Sequence, residues 1–201
     1  MTAARRTDTN MVAWKRFPIP EFDHNQFKDR PYAAPTALSL DDANALLAKF
    51  TANHAPCGGH VVMPTEALFE RFQIKGEHRH AVMCLLPSSP VYLLGRSWAW
   101  KIQRALVLDS LDPASAKVLY DWKTPRPMNT RLGPEDGETF SGTVCYVIMV
   151  NRFADHWLGN RSIIDAAWDP GAGRKGFRIL GSSEPGMEDF HHTYLAFEWS
   201  A

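Results

Sequence analysis

Two short segments in the first half of the chain place apolar residues at helical spacing. In the first, Ser39 stands at the expected N-cap before two aspartates, and apolar residues recur on one face up to Phe50. In the second, Thr65 is the expected N-cap, Glu66 lies in the first turn, and Gly76 is the expected end. The pattern predicts a helix in each segment.

After Gly76 the pattern changes to short β-type runs separated by Pro, Gly, Ser and Asp. TVCYVIMV is apolar in both alternating positions, which predicts a central strand covered on both faces. TYLAFEWS alternates less cleanly and is expected nearer a sheet edge, whereas RSWAWKIQRALVL fits either helix or strand. The predicted strands are HAVMCLL, PVYLLG, RALVLDSL, KVLYDW, GTVCYVIMV, FRILG and TYLAFEW.

Two further stretches interrupt this series. NRFADHWLGNRSIIDAAW returns to helical spacing, with a break at Gly159 and Asn160. DWKTPRPMNTRLGPEDGETFSG is polar and rich in turn residues, which predicts a long loop of the kind that carries function or contacts a partner.

These elements define the expected architecture. Residues 1–36 mix prolines with large aromatic residues and read as an extended N-terminal arm, and residues 37–201 read as a single domain. The fold class predicted is α+β, with a mostly antiparallel or mixed β-sheet packed by two to three short helices.

Composition narrows the class of protein. Apolar residues make up 45% of the chain and seven residues are Trp, which excludes a disordered chain. Lys plus Arg and Asp plus Glu both number 22, so no overall field draws the chain to nucleic acid or to a membrane. An odd set of three cysteines, no secretory signal and no long apolar run favour a cytoplasmic protein without a membrane anchor.

The segment HAPCGGH supplies the first candidate chemistry. His54, Cys57 and His60 are three residues apart, and imidazole and thiolate are the ligands that zinc prefers. The alternative is a glycine turn in which Cys57 is buried and no metal is bound. A structural zinc site needs four ligands, and this segment supplies three. The remaining candidates for the fourth ligand are His78, His80, His191 and His192.

The same segment also contains a candidate nucleophile. Cys57 activated by His60 would define a small hydrolase, although no family signature accompanies the pair. Cys84 and Cys145 lie within apolar runs and are expected in the core. In EHRH, strand alternation would put His78 and His80 on one face, where they could bind metal or stand as solvated charges.

Basic and aromatic residues offer the remaining site. DPGAGRKGFRIL contains G-x-G-x-x-G, but it precedes a strand instead of following one, so a basic turn is favoured over a dinucleotide site. In GRSWAWKIQR, Trp98 and Trp100 suit a core or an interface. The residues expected to contact a partner are Trp98, Trp100, Arg174, Lys175 and Arg178.

The function predicted from these features is a non-catalytic protein–protein interaction module or homo-oligomer, of the type of a bacterial or phage inhibitor, immunity protein or virion component. The first alternative is a metal-dependent or Cys/His hydrolase using Cys57 and His60, with zinc as its cofactor. The second alternative is a protein that contacts nucleic acid through Arg174, Lys175 and the region of Trp98.

Overall fold

A computed structural model of the chain describes residues 36–50, 58–88, 90–127, 130–134, 137–160, 162–168, 175–185 and 193–200. The predicted N-terminal arm lies outside these ranges, except for Thr36. The helices are α1 (Leu40–Lys49) and α2 (Glu66–Arg71). The strands are β1 (Gly58–Val62), β2 (Ile74–Lys75), β3 (Ala81–Leu85), β4 (Val91–Ser97), β5 (Gln103–Leu108), β6 (Val118–Lys123), β7 (Thr130–Leu132), β8 (Glu138–Phe140), β9 (Val144–Phe153), β10 (His156–Gly159), β11 (Ser162–Trp168), β12 (Lys175–Ser183) and β13 (Thr193–Ser200).

The described strands form two sheets instead of the single sheet predicted. Sheet A contains seven strands, with β9 at its centre between β5 on one side and β3 and β10 on the other. Sheet B contains six strands in the order β11-β12-β13-β4, and β7 and β8 both pair with the free side of β4. The predicted α+β class is therefore wrong, because the main partner of each sheet is the other sheet and α1 is the only described helix longer than six residues.

The space between the sheets is filled by one apolar cluster, the intersheet core. Alternate residues of β3, β4, β5, β9 and β13 point into it, as the period of two in a strand requires. Cys84 and Cys145, which are register partners on β3 and β9, are both buried in this core, as predicted. Phe197 and Leu93 contribute from the facing sheet.

The opposite face of sheet A packs against the helices. Leu68 and Phe69 of α2 and Ala43 of α1 are buried against β3, β5 and β9, so β9 is covered on both faces, as its apolar run predicted. Both predicted helices are present, but the second ends at Arg71 and not at Gly76, and the Thr65 side chain makes no capping hydrogen bond. The Ser39 hydroxyl accepts a hydrogen bond from the backbone N–H of Asp42 at 3.1 Å, which confirms the first cap.

Three local predictions are corrected. The described residues of NRFADHWLGNRSIIDAAW form no helix. They contain the end of β9, the turn to β10, β10 itself and then β11. Strand pairing decides this, because β10 pairs with β9 and β11 pairs with β12 along its whole length. The long loop predicted across residues 121–142 contains β7 and β8, which are only three residues each and show little alternation. The strand β13 is not near an edge, since β12 and β4 flank it.

None of the helices in the described ranges has the length and apolar character needed to span a membrane.

Gly159 closes β10 against the segment that leads into β3. A Cβ atom at this position would lie 1.7 Å from the backbone oxygen of His78, a distance that only a backbone shift could relieve. We expect Gly159→Ala to lower the free energy of unfolding by about 3 kcal/mol, the upper end for overpacking a tight site. Urea denaturation measures this loss. Gly142→Ala is the matched control, because its Cβ would meet only the movable ring of Phe140 and a smaller loss is expected.

Candidate functional site

A buried polar network joins the two sheets at one end of the sandwich. The inward-facing row of each strand is apolar until this end, where it becomes polar. The polar residues are Ser97 on β4, Gln103 on β5, Asn151 on β9, Ser182 on β12 and Thr193 on β13, and all are fully or almost fully buried. Because the strands are antiparallel, these positions fall alternately at the end and at the start of their strands.

Gln103 is the centre of this network. Its side-chain oxygen accepts hydrogen bonds from Asn160 Nδ2 at 3.2 Å and from Thr193 Oγ1 at 3.0 Å. Its amide nitrogen donates to Glu184 Oε1 at 3.0 Å and to the backbone oxygen of Lys101 at 3.2 Å. The side chain therefore uses its donors and acceptors fully, which is what a buried amide requires.

Asn160 extends the network across the intersheet space. Its Nδ2 donates to Ser182 Oγ at 2.7 Å, and its Oδ1 accepts from Asn151 Nδ2 at 3.0 Å. The Oδ1 atom of Asn151 is buried with no hydrogen-bond partner among the described residues. The side chain of Asn160 thus links β9, β5 and β12.

A buried carboxylate connects the network to the surface. Glu184 is only 4% exposed, and its carboxylate accepts from the ammonium group of Lys101 at 3.0 Å and from the backbone N–H of Lys101 at 3.3 Å. The ion pair holds the loop between β4 and β5 against the end of β12. A buried charge with several donors is stable in place, whereas the same charge with a donor removed is costly.

The surface above this network carries the two most exposed large apolar side chains of the described residues. Trp100 is 67% exposed and Phe153 is 51% exposed. Lys101 follows Trp100 in the chain and places its ammonium nitrogen 5.6 Å from the centre of the Phe153 ring. The ring of His156 lies edge-on to that of Phe153, at 5.8 Å between centroids. We call Trp100, Lys101, Phe153 and His156 the aromatic end surface.

The turn between β9 and β10 has an unfavourable backbone conformation. Ala154 has a φ of 52°, in the left-handed region, which costs a non-glycine residue roughly 1–2 kcal/mol. The Nε atom of Arg152 donates a hydrogen bond to the Ala154 backbone oxygen at 3.0 Å and so holds the turn. Strain retained in an exposed hairpin is typical of functional segments.

The residues predicted to contact a partner do not lie in one described part of the fold. Trp98 and Trp100 lie in the loop after β4 and not on one strand face. Trp98 packs against Tyr194, with ring centroids 4.9 Å apart, and under the guanidinium of Arg96 at 4.3 Å. Arg174 lies outside the described residues. Lys175 and Arg178 lie on β12, opposite Ser200 and Phe197 on β13.

The candidate metal and nucleophile residues are only partly within the described ranges. His54, Cys57, His191 and His192 fall outside them, so the zinc site and the Cys57–His60 pair remain predictions. His60 lies on β1 opposite Met83. His78 and His80 precede β3, which begins at Ala81, so their placement on one strand face was wrong. In the parts of the chain that are described, no three His, Cys, Asp or Glu side chains form a metal-binding group.

The aromatic end surface was partly missed by sequence reasoning. The sequence predicts Trp100 as a residue that contacts a partner, but it predicts a helix for the segment that contains Phe153 and His156. The signal that could have identified this end is the single polar residue at the margin of each apolar strand, as in QRALVL, VIMVN and ILGSS. In antiparallel strands such residues meet at one end of a sandwich.

Comparisons with known proteins give only a weak likeness. No family model matches the chain, and no curated protein matches it. The solved structures that match include three bacterial lectins: the C-terminal domain of the BC2L-C lectin from Burkholderia cenocepacia, the high-affinity mannose-binding lectin of Ralstonia solanacearum, and the Chromobacterium violaceum lectin CV2L in complex with alpha-methyl-fucoside. Their identities to this chain are 17%, 15% and 11%. Each match has a TM-score of 0.45 and covers 59% of this chain and 95–96% of the lectin. A likeness this weak assigns neither a family nor a function.

Replacing Gln103 tests the role of the network. We expect Gln103→Leu to lower the free energy of unfolding by about 3 kcal/mol, because it removes at once the buried hydrogen bonds that Glu184, Asn160 and Thr193 each make with this side chain. Thr193→Val is the control: it removes one hydroxyl group at similar volume and should cost about 1 kcal/mol. Urea denaturation with an unchanged m-value measures both. Equal losses for the two variants would show that Gln103 is not the centre of the network.

The buried imidazole of His80 makes stability depend on pH. Burial, followed by the nearby His78, lowers the pKa of His80 from 6.5 to about 4. The unfolded chain therefore binds this proton more readily than the folded chain does. The contribution of neutral His80 is fully present above pH 6.5 and is lost as the pH falls towards 4, by on the order of 3 kcal/mol.

The measurement is urea denaturation at a series of pH values across this window. We expect His80→Gln to flatten the pH dependence of the free energy of unfolding. A wild-type protein whose stability did not fall between pH 6.5 and 4 would contradict the assignment to His80.

Proposed function

We propose that this protein is a non-catalytic recognition protein that binds a protein partner through the aromatic end surface. The observation that carries the proposal is the pairing of two highly exposed aromatic side chains, Trp100 and Phe153, with a rigid polar foundation directly beneath them. Large exposed aromatic side chains are rare on surfaces that contact only water, and they supply much of the binding energy in protein interfaces.

The rigidity of this surface supports recognition. Lys101 is held by Glu184, and Phe153 ends the strand that is most extensively paired in sheet A. Side chains on a rigid framework lose little freedom when they bind, so more of the contact energy appears as affinity. The proposal includes the role of an inhibitor, an immunity protein or a virion component, each of which would bind its partner through such a surface.

A neutral carbohydrate is the second candidate ligand. The exposed indole of Trp100 stands beside a hydrogen-bonding ammonium group on Lys101, and a flat apolar ring next to polar groups is also a surface on which a sugar ring packs. The residues that support this candidate are Trp100 and Lys101. It predicts binding to free glycans without any protein partner.

The test compares the wild type with the double variant Trp100→Ser/Phe153→Ser. Both are used to capture proteins from the cells that make the chain, and both are applied to a glycan array and to single-stranded and double-stranded oligonucleotides. We expect one protein to bind the wild type and to bind the double variant at least about thirtyfold more weakly, as for the loss of a central interface residue. Met63→Ser is the control, because Met63 is 48% exposed but lies at the end of β1.

Thermal unfolding of each variant must match the wild type for the comparison to count. A double variant that keeps every protein bound by the wild type would refute the aromatic end surface as the binding site. Binding to glycans alone would replace the protein partner by a carbohydrate, and binding to oligonucleotides that weakens steeply with salt would replace it by nucleic acid.

A further inference from the structure

The hairpin of β9 and β10 has a second face, on the helix side of sheet A. Trp157 points to this face and is 9% exposed. Two guanidinium groups pack against its indole ring, that of Arg104 at 5.3 Å and that of Arg152 at 5.4 Å from the centroid. Cations over an indole face are attracted by its electron-rich ring, and the ring fixes the planes of both groups.

The two arginines differ in how their charge is balanced. Arg104 makes a bidentate pair with Asp121, through Nε at 2.7 Å and Nη2 at 2.9 Å. Partial burial raises the pKa of Asp121, but the hydrogen bonds and positive charges of Arg104 and Lys123 together outweigh it and leave that pKa below its ordinary value. Asp121 therefore stays ionised at neutral pH and neutralises Arg104.

Arg152 has no such counter-ion among the residues that the structure describes. Its Nε atom is used by the Ala154 backbone oxygen, and its two terminal nitrogens form no hydrogen bond or ion pair with any residue that the structure describes. The group is thus oriented by the turn and by Trp157, while one edge of the guanidinium plane is left unused. A guanidinium edge with two N–H donors matches the two oxygens of a carboxylate.

The local charge balance favours a single negative charge as the ligand. Lys101 is paired with Glu184, Arg104 with Asp121, and Lys123 lies 3.6 Å from the same Asp121 carboxylate. Arg152 is the one cation of this group without a carboxylate. Asp121 would repel a doubly charged phosphate more strongly than a carboxylate, and the described residues around Trp157 offer no second unpaired arginine for a phosphate.

We propose that Arg152 is a carboxylate-binding site that receives an acidic side chain or the C-terminal carboxylate of the partner bound at the aromatic end surface. The inference rests on the proposed function for the identity of the partner and on the geometry of Arg152 for the chemistry. Phe153 follows Arg152 in the chain, and alternation places the two side chains on opposite faces of the hairpin. A partner that straddles the hairpin therefore meets an aromatic anchor on one face and a cation on the other.

The test uses acetate as the probe on the full chain. Sodium acetate replaces sodium chloride at constant ionic strength, so that screening does not change. The signals followed by NMR are the Nε–H of Arg152 and the indole N–H of Trp157. We expect saturable shifts with a dissociation constant in the millimolar range, and binding about tenfold weaker in Arg152→Gln, as for the loss of a charge-assisted hydrogen-bonded pair. Arg126→Gln removes the same charge from an exposed position and should leave acetate binding unchanged.

A second variant keeps the test informative if Arg152→Gln fails to fold. Asp121→Asn removes the competing carboxylate and frees Arg104, so acetate binding should become tighter. The absence of saturable shifts, a dissociation constant for acetate that is unchanged in Arg152→Gln, or binding of inorganic phosphate without acetate would each overturn the proposal. If acetate binds normally but the Trp100/Phe153 double variant keeps its protein partner, the proposed function fails and the anion site stands. If acetate does not bind but the double variant loses the partner, only the carboxylate site fails.

Discussion

The hydrogen bonds of Gln103 are the constraint on which this end of the molecule depends. A side-chain amide buried between two sheets has to satisfy two donors and two acceptor positions, and here it does so with groups from both sheets and from the loop that crosses between them. An apolar contact at the same place would tolerate sliding of one sheet over the other. The amide network does not, because a shift of one residue would leave several buried polar groups without partners.

The surface features follow from that fixed register. The Lys101–Glu184 pair sets the path of the loop that carries Trp100, and β9 carries Phe153 and Arg152 to opposite faces of one hairpin. The hairpin turn retains a left-handed alanine, held by the side chain of the neighbouring Arg152. A recognition surface of this kind needs few specialised residues, because a rigid framework turns ordinary aromatic and basic side chains into a defined arrangement.

The features that depend on interactions within a few residues were predictable from the sequence. The Ser39 cap, the helix after Thr65, the β-rich second half and the buried positions of Cys84 and Cys145 all follow from short-range patterns. The hairpin at Ala154 and Asp155 was not predictable in the same way. Phe153 and Trp157 are four residues apart, which suits one face of a helix, and only the ladders to β9 and β2 make them residues of two adjacent strands. The same holds for β7 and β8, whose three-residue length is stable only against β4.

By itself, the sequence determined that the chain folds, where its first described helix begins, and which runs are apolar enough to be strands. The tertiary structure decided how those runs divide into two sheets and that their polar ends meet around Gln103. It also placed Arg152 beside Trp157 without a counter-ion from the described part of the chain. The reason is physical: caps and apolar periodicity act within a few residues, whereas strand pairing and buried hydrogen bonds join residues such as Gln103 and Thr193 that lie far apart in the chain.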